Sequence, residues 1–298
     1  MIAVERAGRS ETALARVELG GETLWTVRNG DRYSRLGLTL AGLLGLPHDE
    51  ARRVVDAAAD GQDAAAVIPD RILAPIDPQQ EVWAAGVTYL RSRDGRIEEA
   101  TDGSPYDRVY AAERPELFFK SLGWRTVGPG DSIGVRSDSP WNAPEPELGL
   151  VLDCGGTLFG YVTGNDASSR SIEGENLLYL PQAKIYTASC ALGPEIVPAW
   201  SAEAPFEVAL EIERDGRRVF AGSTSTDRMA RSFGDLADWL FRGLRFPDGV
   251  IVLTGTGIVP DADFTLLPGD RVVVDIVGIG RLENDVALVG GAGPGSAA

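Results

Sequence analysis

Histidine, cysteine and lysine are scarce in this chain, and each scarcity limits the chemistry available to it. The 298 residues contain one histidine, His48, and two cysteines, Cys154 and Cys190. A Ser-His-Asp relay or a histidine-rich zinc site would depend on that one histidine. His48 stands beside the start of a predicted helix, where a solvent-facing residue is expected. The two cysteines lack CxxC spacing and are expected as free thiols in a reducing cytoplasm.

Only two of the 28 basic residues are lysines, Lys120 and Lys184, and the rest are arginines. A chain with this bias is expected to keep lysine where a compact ammonium group does what a planar guanidinium group cannot. Chance retention is the alternative for either residue alone. Both lysines are therefore candidate functional residues.

Basic residues are also outnumbered by acidic ones, with 28 Lys and Arg against 44 Asp and Glu and a net charge of −16. Nucleic acids and anionic membranes bind basic surfaces, so neither is expected as a partner. The N-terminal residues contain no apolar core of a signal peptide, and no stretch reaches the roughly 20 apolar residues of a membrane span. The sequence predicts a cytoplasmic location.

The pattern of the chain predicts an α+β, mainly β protein in three parts. Residues 1–72 predict a small α/β domain, with a hairpin at residues 20–21 and helical periodicity in RLGLTLAGLLG and DEARRVVDAAAD. Residues 73–288 predict a catalytic domain of short strands, including ELFFKSL, ELGLVLD, TLFGYVTG, GVIVLTG and DRVVVDIVGIGRL. This part also predicts a hairpin in ERDGRRVF and helices at FGDLADWLFRGL and after Tyr89. Residues 289–298 are expected to form a flexible tail.

The stretch PEPELGLVLD places two carboxylates beside a strand that is otherwise apolar. Glu145 and Glu147 are one residue apart, so on a strand they point to the same face. Like charges converging on one face are costly unless a cation lies between them. Asp166, at the end of the later strand in YVTGNDASSR, is the natural third ligand. Three carboxylates without histidine or cysteine suit Mg²⁺, and also Mn²⁺ or Ca²⁺, better than zinc.

Eight motifs are spread over residues from about 80 to 287, and in chain order they are ELFFKSL, GPGD, PEPELGLVLD, GYVTGNDASSR, QAK, LGPEIV, VLTGTG and LLPGDRVVVDIVGIGRLEN. Together these motifs resemble the fumarylacetoacetate hydrolase family. The resemblance implies a fumarylacetoacetase C-terminal-like β-roll catalytic domain after the small N-terminal domain. It also implies a divalent cation held by Glu145, Glu147 and Asp166, and a homodimer or homotetramer.

The family pattern further implies three residues around the cation. Lys184 matches the family's active-site lysine, and Arg170 matches the arginine of its N-D-x-S-x-R motif. Thr256, in LTGTG, matches a threonine that contacts the substrate carboxylate. Arg170 and Thr256 are therefore predicted substrate-binding residues.

One departure from the family pattern narrows the expected reaction. Family hydrolases carry a histidine shortly after the equivalent of GVTY, whereas here that stretch reads YLRSRDGRIEEA. Three longer stretches are RVYAAERPELFFK, VRSDSPWNAPEPEL and ENLLYLPQAKIYTASCALGP. They instead resemble the branch of 2-keto-3-deoxy-D-arabinonate dehydratases. That resemblance implies Mg²⁺-dependent dehydration of a sugar-acid substrate to 2,5-dioxopentanoate, with an enolate stabilised by the metal, in pentose oxidation.

Dehydration needs proton transfer at neighbouring carbons. Glu116 is the first candidate for acid or base; its alternative is a structural ion pair with Lys120. Lys184 is the second candidate, because an ammonium group crowded by cations can give up its proton. Arg93 is predicted to clamp substrate oxygens from a closing segment, and a solvated arginine is the alternative.

Two other functions stay open on sequence alone. A hydrolase or isomerase of acylpyruvates or diketo acids could use the same metal site, although it would need a base near Tyr89. A catalytically silent metal-binding relative would be favoured by loss of a ligand, and Glu145, Glu147 and Asp166 are all present.

Overall fold

The structure is a computed structural model that describes residues 10–61, 67–90 and 104–290, with the backbone alone at 104–107. Tight turns divide the chain in these ranges into short strands. The strands of these ranges are β1 Thr12–Leu19, β2 Glu22–Asn29, β3 Arg32–Arg35, β4 Arg71–Ile72, β5 Glu81–Gly86, β6 Glu116–Leu122, β7 Ser132–Arg136, β8 Asn142–Ala143, β9 Pro146–Leu152, β10 Leu158–Asp166, β11 Ser168–Ser169, β12 Cys190–Pro198, β13 Glu207–Arg214, β14 Arg217–Ser225, β15 Val250–Leu253, β16 Arg271–Ile276 and β17 Gly280–Val289. The α-helices are α1 Leu40–Leu44, α2 His48–Asp60, α3 Ser104–Ala111, α4 Arg170–Glu175, α5 Leu180–Lys184 and α6 Phe233–Phe241. None of these helices has the length and apolar character needed to cross a membrane.

The strands form two large sheets and one short pair. The larger sheet has ten strands in the order β3-β2-β1-β12-β10-β9-β15-β5-β6, with β4 attached to β1. The second sheet has the order β14-β13-β16-β17-β7, and β8 pairs with β11. Pairing is antiparallel except between β15 and β5 and between β17 and β7. The predicted α+β, mainly β class is confirmed.

Apolar side chains cover both faces of the larger sheet, because successive residues of a strand point in opposite directions. Leu150 and Val252 pack with Val274 of the second sheet in a core between the two sheets. Val151 faces the other way and packs with Leu43 of α1. Every residue of β9 is buried, which is why its sequence after Glu147 is a continuous apolar run.

The larger sheet includes strands β1 to β3 from the described N-terminal residues. The hairpin predicted at residues 20–21 is formed by β1 and β2. Leu14 of β1 lies opposite Ile196 of β12, and the buried Arg28 and Glu195 side chains form an ion pair of 2.9 Å. The sheet therefore crosses the domain boundary expected at residue 72, and that boundary stays a prediction.

Two predicted elements differ in detail. DRVVVDIVGIGRL, predicted as one strand, forms β16 and β17 around a turn in which Ile279 N donates to Ile276 O at 2.9 Å. The helical pattern of RLGLTLAGLLG yields only α1, which begins at the Thr39 cap and ends at Gly45. The helix expected after Tyr89 and most of the expected tail, at 91–103 and 291–298, lie outside the described residues.

Strand directions bring five strand ends to one edge of the larger sheet. β9 begins at this edge, so its antiparallel neighbours β10 and β15 end there. β5 is parallel to β15 and also ends there, and β6, antiparallel to β5, begins there. The topology thus gathers the starts of β9 and β6 with the ends of β10, β15 and β5.

Candidate active site

Three carboxylates meet where β9 begins and β10 ends. Glu145 and Glu147 flank Pro146, the first residue of β9, and Asp166 is the last residue of β10. Gly164 lies opposite Glu147, and Asp166 N donates to Glu145 O at 2.9 Å. One oxygen from each carboxylate lies within 4.8 Å of the others, and the three side chains are buried. This triad of hard oxygen donors, Glu145, Glu147 and Asp166, can share one divalent cation.

Lys184, the last residue of α5, contacts two of the carboxylates. Its Nζ donates to Glu145 Oε2 at 2.8 Å, to Ser168 Oγ at 2.7 Å and to Asp166 Oδ2 at 3.3 Å. The same Nζ lies 5.4 Å from the centre of the Phe118 ring. An ammonium group has three hydrogens, so all of its donors are engaged. Lys184 is thereby fixed between two carboxylates.

Lys120 reaches the same carboxylates from β6. Its Nζ forms an ion pair with Asp166 Oδ1 and donates to Ala167 O at 3.1 Å and to Lys184 O at 2.6 Å. The ion pair with Glu116 considered from the sequence is wrong, since the ammonium group of Lys120 points to Asp166. Both lysines of the chain therefore lie in one buried cluster.

Arg170, the first residue of α4, binds the second carboxylate oxygen of Glu145. Its Nη2 lies 2.9 Å from Glu145 Oε1, and both side chains are buried. Its helix begins at Ser169, whose hydroxyl accepts a hydrogen bond from Ile172 N. The structure thus places Arg170 on a predicted metal ligand, and its contact with substrate stays a prediction.

One buried cluster contains six charged side chains, those of Glu145, Glu147, Asp166, Lys120, Lys184 and Arg170. Its positive and negative charges are equal in number, although the charge of Glu147 is the least compensated. Three carboxylates face the three cationic groups of Lys120, Lys184 and Arg170. Within the described residues, Glu147 accepts one hydrogen bond, from Gly255 N to its Oε2 at 2.7 Å. Burial, followed by the negative charges of Asp166 and Glu145, raises the pKa of Glu147 well above its usual range. A divalent cation at the triad would remove this penalty, so the residues present fit the predicted ion.

Thr256 lies in the loop that follows β15. Gly255, its neighbour, has a φ of +89°, and a Cβ atom there would overlap the Thr88 hydroxyl. This backbone lets the loop approach Glu147, as the Gly255 hydrogen bond shows. The hydroxyl of Thr256 accepts from Ile258 N at 3.1 Å. Thr256 is therefore one residue from a contact of the triad, and its predicted contact with substrate is still a prediction.

Glu116 begins β6 at the same edge of the sheet. It pairs across the strands with Gly86, the last residue of β5, and its side chain folds over that glycine. Glu116 shares its face of β6 with Phe118, because side chains two residues apart point the same way. Phe118 in turn contacts Lys184. Glu116 therefore lies about 7 Å along the strand from a neighbour of the cluster.

Glu173, which the sequence analysis missed, lines the same cavity as Glu116. The cavity has a volume of about 290 Å³. Glu173 is buried and lies one helical turn after Arg170. The sequence signal that could have identified Glu173 is its spacing of three residues from the arginine of the N-D-x-S-x-R motif, because residues three apart share a helix face.

Two other expectations concern residues away from the cluster. His48 is partly buried rather than solvent-facing: its Nδ1 lies 3.3 Å from Asp153 Oδ2, and its ring packs edge-on against Phe159 and Trp200. Asp153 comes six residues after Glu147, about 20 Å along the chain of β9. Arg93, the predicted clamp, lies outside the described residues.

Comparisons with known proteins agree with this geometry. The model of the fumarylacetoacetate hydrolase C-terminal family matches residues 82–287. A Haloferax volcanii protein named "Probable 2-keto-3-deoxyxylonate dehydratase" is 49% identical over 72% of this chain and 74% of its own. The 2-dehydro-3-deoxy-D-arabinonate dehydratase of Saccharolobus solfataricus is 45% identical over 71% of this chain and 73% of its own.

Solved structures give the same result. A 2-keto-3-deoxy-D-arabinonate dehydratase complexed with magnesium and 2,5-dioxopentanoate superposes with a TM-score of 0.79 at 35% identity, over 92% of this chain and 98% of that one. A fumarylacetoacetate hydrolase from Exiguobacterium antarcticum, 23% identical, shares the fold with a TM-score of 0.71 over 93% and 99% of the two chains. On these matches, this chain belongs to the fumarylacetoacetate hydrolase family.

Proposed function

We propose that this protein is a hydro-lyase that dehydrates a 2-keto-3-deoxy-D-pentonate to 2,5-dioxopentanoate with the help of Mg²⁺. The observation that carries the proposal is the likeness to a dehydratase complexed with magnesium and 2,5-dioxopentanoate, at a TM-score of 0.79 and 35% identity. The buried triad of Glu145, Glu147 and Asp166 supports it. Two relatives with dehydratase names, at 49% and 45% identity, support it further.

The two sugar names among the relatives are compatible with one substrate. Oxidation at C2 and loss of the C3 hydroxyl leave C4 as the last stereocentre of a pentonate. For sugars of the D series, 2-keto-3-deoxyxylonate and 2-keto-3-deoxyarabinonate are therefore the same compound. The proposed reaction removes a proton from C3 and the hydroxyl from C4, and five carbons are retained in the product.

Glu145, Glu147 and Asp166 would hold the cation, with Mn²⁺ or Ca²⁺ as the alternatives to Mg²⁺. The bound ion supplies a Lewis acid that stabilises negative charge on the keto oxygen of the substrate. The buried cluster otherwise carries as many positive as negative groups, so a divalent ion makes it positive. A positive, buried site favours an anionic substrate such as a 2-keto acid.

The cationic side chains keep the triad in place. Lys184 and Arg170 each bind one oxygen of Glu145, at 2.8 Å and 2.9 Å, and Lys120 binds Asp166. These contacts fix the carboxylates before substrate arrives, which lowers the reorganisation needed for catalysis. We assign Lys184 a positioning and electrostatic role, because its donors are engaged, and we assign proton transfer to Glu116. Arg170 and Thr256 remain the proposed substrate-binding residues, together with Arg93.

The arrangement favours dehydration over hydrolysis. Hydrolysis of a carbon–carbon bond needs a water nucleophile and a base to activate it. The one histidine of the sequence packs against Asp153 and Trp200, at the end of β9 remote from the triad. No histidine is thus placed to serve a hydrolase at this site.

The direct experiment compares two substrate classes on the purified protein. With Mg²⁺, a 2-keto-3-deoxy-D-pentonate should yield 2,5-dioxopentanoate, measured through an enzyme that oxidises its aldehyde, and acylpyruvates should be cleaved poorly. EDTA should abolish the reaction, and Mg²⁺ or Mn²⁺ should restore it. Cleavage of acylpyruvate without dehydration would overturn the proposal. The cytoplasmic location and the homodimer or homotetramer expected from the sequence stay predictions.

A further inference from the structure

Glu116 and Glu173 line one cavity beside the elements that carry the buried cluster. Glu116 enters the cavity from the start of β6, and Glu173 enters it from α4. Among the described residues, the rest of the lining is Val109, Arg114, Pro115, Leu177 and Leu180. Four of these five residues are apolar, so within the described lining the two glutamates are the carboxyl groups that can accept or donate a proton.

Both glutamates are tied to elements that also carry the cluster. Glu116 shares a face of β6 with Phe118, whose ring lies 5.4 Å from Lys184 Nζ. Glu173 lies three residues after Arg170, which binds Glu145 at 2.9 Å. Residues three apart lie on the same side of a helix. Each glutamate therefore lies on an element that also places a residue against the cluster.

The proposed reaction needs more proton transfers than one group can supply at a time. Elimination takes a proton from C3, breaks the C4–O bond and must deliver a proton to the leaving hydroxyl, which departs as water. The product still has a C3–C4 double bond and a C5 hydroxyl. Moving a proton from C5 to C3 then gives the C4–C5 enol, and ketonisation of that enol gives the aldehyde.

We propose that Glu173 is a catalytic residue that works with Glu116 as a pair, one carboxyl ionised and the other protonated. This proposal rests on the dehydratase function proposed above. In the elimination the ionised member accepts the C3 proton and the protonated member gives its proton to the C4 hydroxyl. In the next step the second member accepts the C5 proton and the first returns a proton to C3. The pair thus ends in its starting state, and no further acid or base is consumed.

The pair replaces Lys184 as the partner of Glu116. Lys184 Nζ donates to Glu145, Asp166 and Ser168. An ammonium group with three engaged hydrogens presents no lone pair to a substrate carbon. A carboxyl group can perform both halves of the transfer, which is how paired carboxyl groups act in other enzymes.

The test uses the full chain with Mg²⁺ and 2-keto-3-deoxy-D-pentonate, and compares Glu173→Gln, Glu116→Gln and the double variant. Each single variant should lose about 100-fold or more in kcat with little change in KM. The double variant should be no slower than the slower single variant by more than about 5-fold, because members of one catalytic unit are not additive. Glu175→Gln, an exposed residue of the same helix, should match the wild-type rate.

One further variant separates catalysis from packing. Glu173→Asp keeps a carboxyl group but shortens the side chain, so it should be faster than the isosteric Glu173→Gln; the reverse order would overturn the proposal. A Glu173→Gln variant with kcat within about 3-fold of wild type would also overturn it, as would a double variant whose loss equals the product of the single losses. The wild-type rate is a separate arm: if the wild type forms no 2,5-dioxopentanoate, the proposed function fails first.

Discussion

The carboxylate of Glu116 occupies the space where a side chain on Gly86 would lie. The two residues are cross-strand partners in β6 and β5. A Cβ atom added to Gly86 would lie 2.7 Å from Glu116 Cδ and closer still to Oε2. Because Gly86 has no side chain, the carboxylate of Glu116, the proposed proton-transfer group, can occupy this position.

Gly86→Ala should displace the Glu116 carboxylate while leaving the fold intact. The clash is with the far end of a flexible side chain, so we expect a loss of stability below about 1 kcal/mol. A shift of about 1 Å in a catalytic group can cost about 100-fold in rate, so kcat should fall steeply. Gly243→Ala, where a Cβ atom meets nothing within 4 Å, is the matched control. Equal kcat values for the two variants would show that the position of Glu116 is unimportant.

Lys184→Arg should reduce kcat by about 100-fold or more. A planar guanidinium group cannot place its donors on Glu145, Asp166 and Ser168 as the ammonium group does. The extra volume in a buried site should also cost about 1–3 kcal/mol of stability. Steady-state kinetics and thermal unfolding measure the two effects separately. A wild-type kcat in this variant would reduce Lys184 to a packing residue.

Glu147→Gln should stabilise the metal-free protein and abolish its stabilisation by Mg²⁺. Burial and the neighbouring Asp166 and Glu145 raise the pKa of Glu147. A raised pKa in the folded state means that stability is present at low pH and is lost as pH rises through that pKa. The gain in Tm over wild type should therefore be largest above neutral pH and shrink on acidification.

Thermal unfolding with EDTA and with Mg²⁺ measures both parts of the Glu147 prediction. Each kcal/mol of repulsion relieved should raise Tm by about 2–4 °C. The exposed Glu203→Gln should change neither the metal-free Tm nor the response to Mg²⁺. A Glu147→Gln variant that Mg²⁺ stabilises as strongly as wild type would contradict its assignment as a ligand.

Lys120→Met should destabilise the protein by about 3–5 kcal/mol, because it removes one of the two ion pairs of the buried Asp166 and leaves only that with Lys184 at 3.3 Å. The exposed pair of Arg218 and Glu211, at 3.3 Å, offers the control. Arg218→Met should cost less than about 1 kcal/mol. Urea unfolding of both variants gives the comparison, and equal losses would show that the buried pair contributes no more than a surface pair.

Much of the site was accessible from the sequence because its signals are local. The alternation of Glu145 and Glu147 on a strand, and the rarity of Lys120 and Lys184, needed no knowledge of the fold. The apolar run at residues 148–152 likewise predicted a strand. These patterns depend only on backbone periodicity and on the chemistry of each residue type.

Part of what the sequence did not predict depends on contacts between distant segments, and part on local patterns that are ambiguous. The cavity shared by Glu116 and Glu173 needs the packing of α4 near β6, and the binding of Asp166 by Lys120 needs the order of strands in the larger sheet. β12 was missed because its Gly193 and Pro194 resemble a turn in the sequence. The hairpin of β16 and β17 was missed because the apolar residues of its turn continue the strand pattern.

The most direct test of the account is proton NMR of the reaction product formed in deuterated water. With Mg²⁺ and 2-keto-3-deoxy-D-pentonate, the protein should give 2,5-dioxopentanoate with five carbons, solvent deuterium at C4 and a C5 aldehyde proton retained from the substrate. That labelling follows from ketonisation of the C4–C5 enol after loss of water. A product shortened by carbon–carbon cleavage, or an unchanged substrate in the presence of Mg²⁺, would contradict the account.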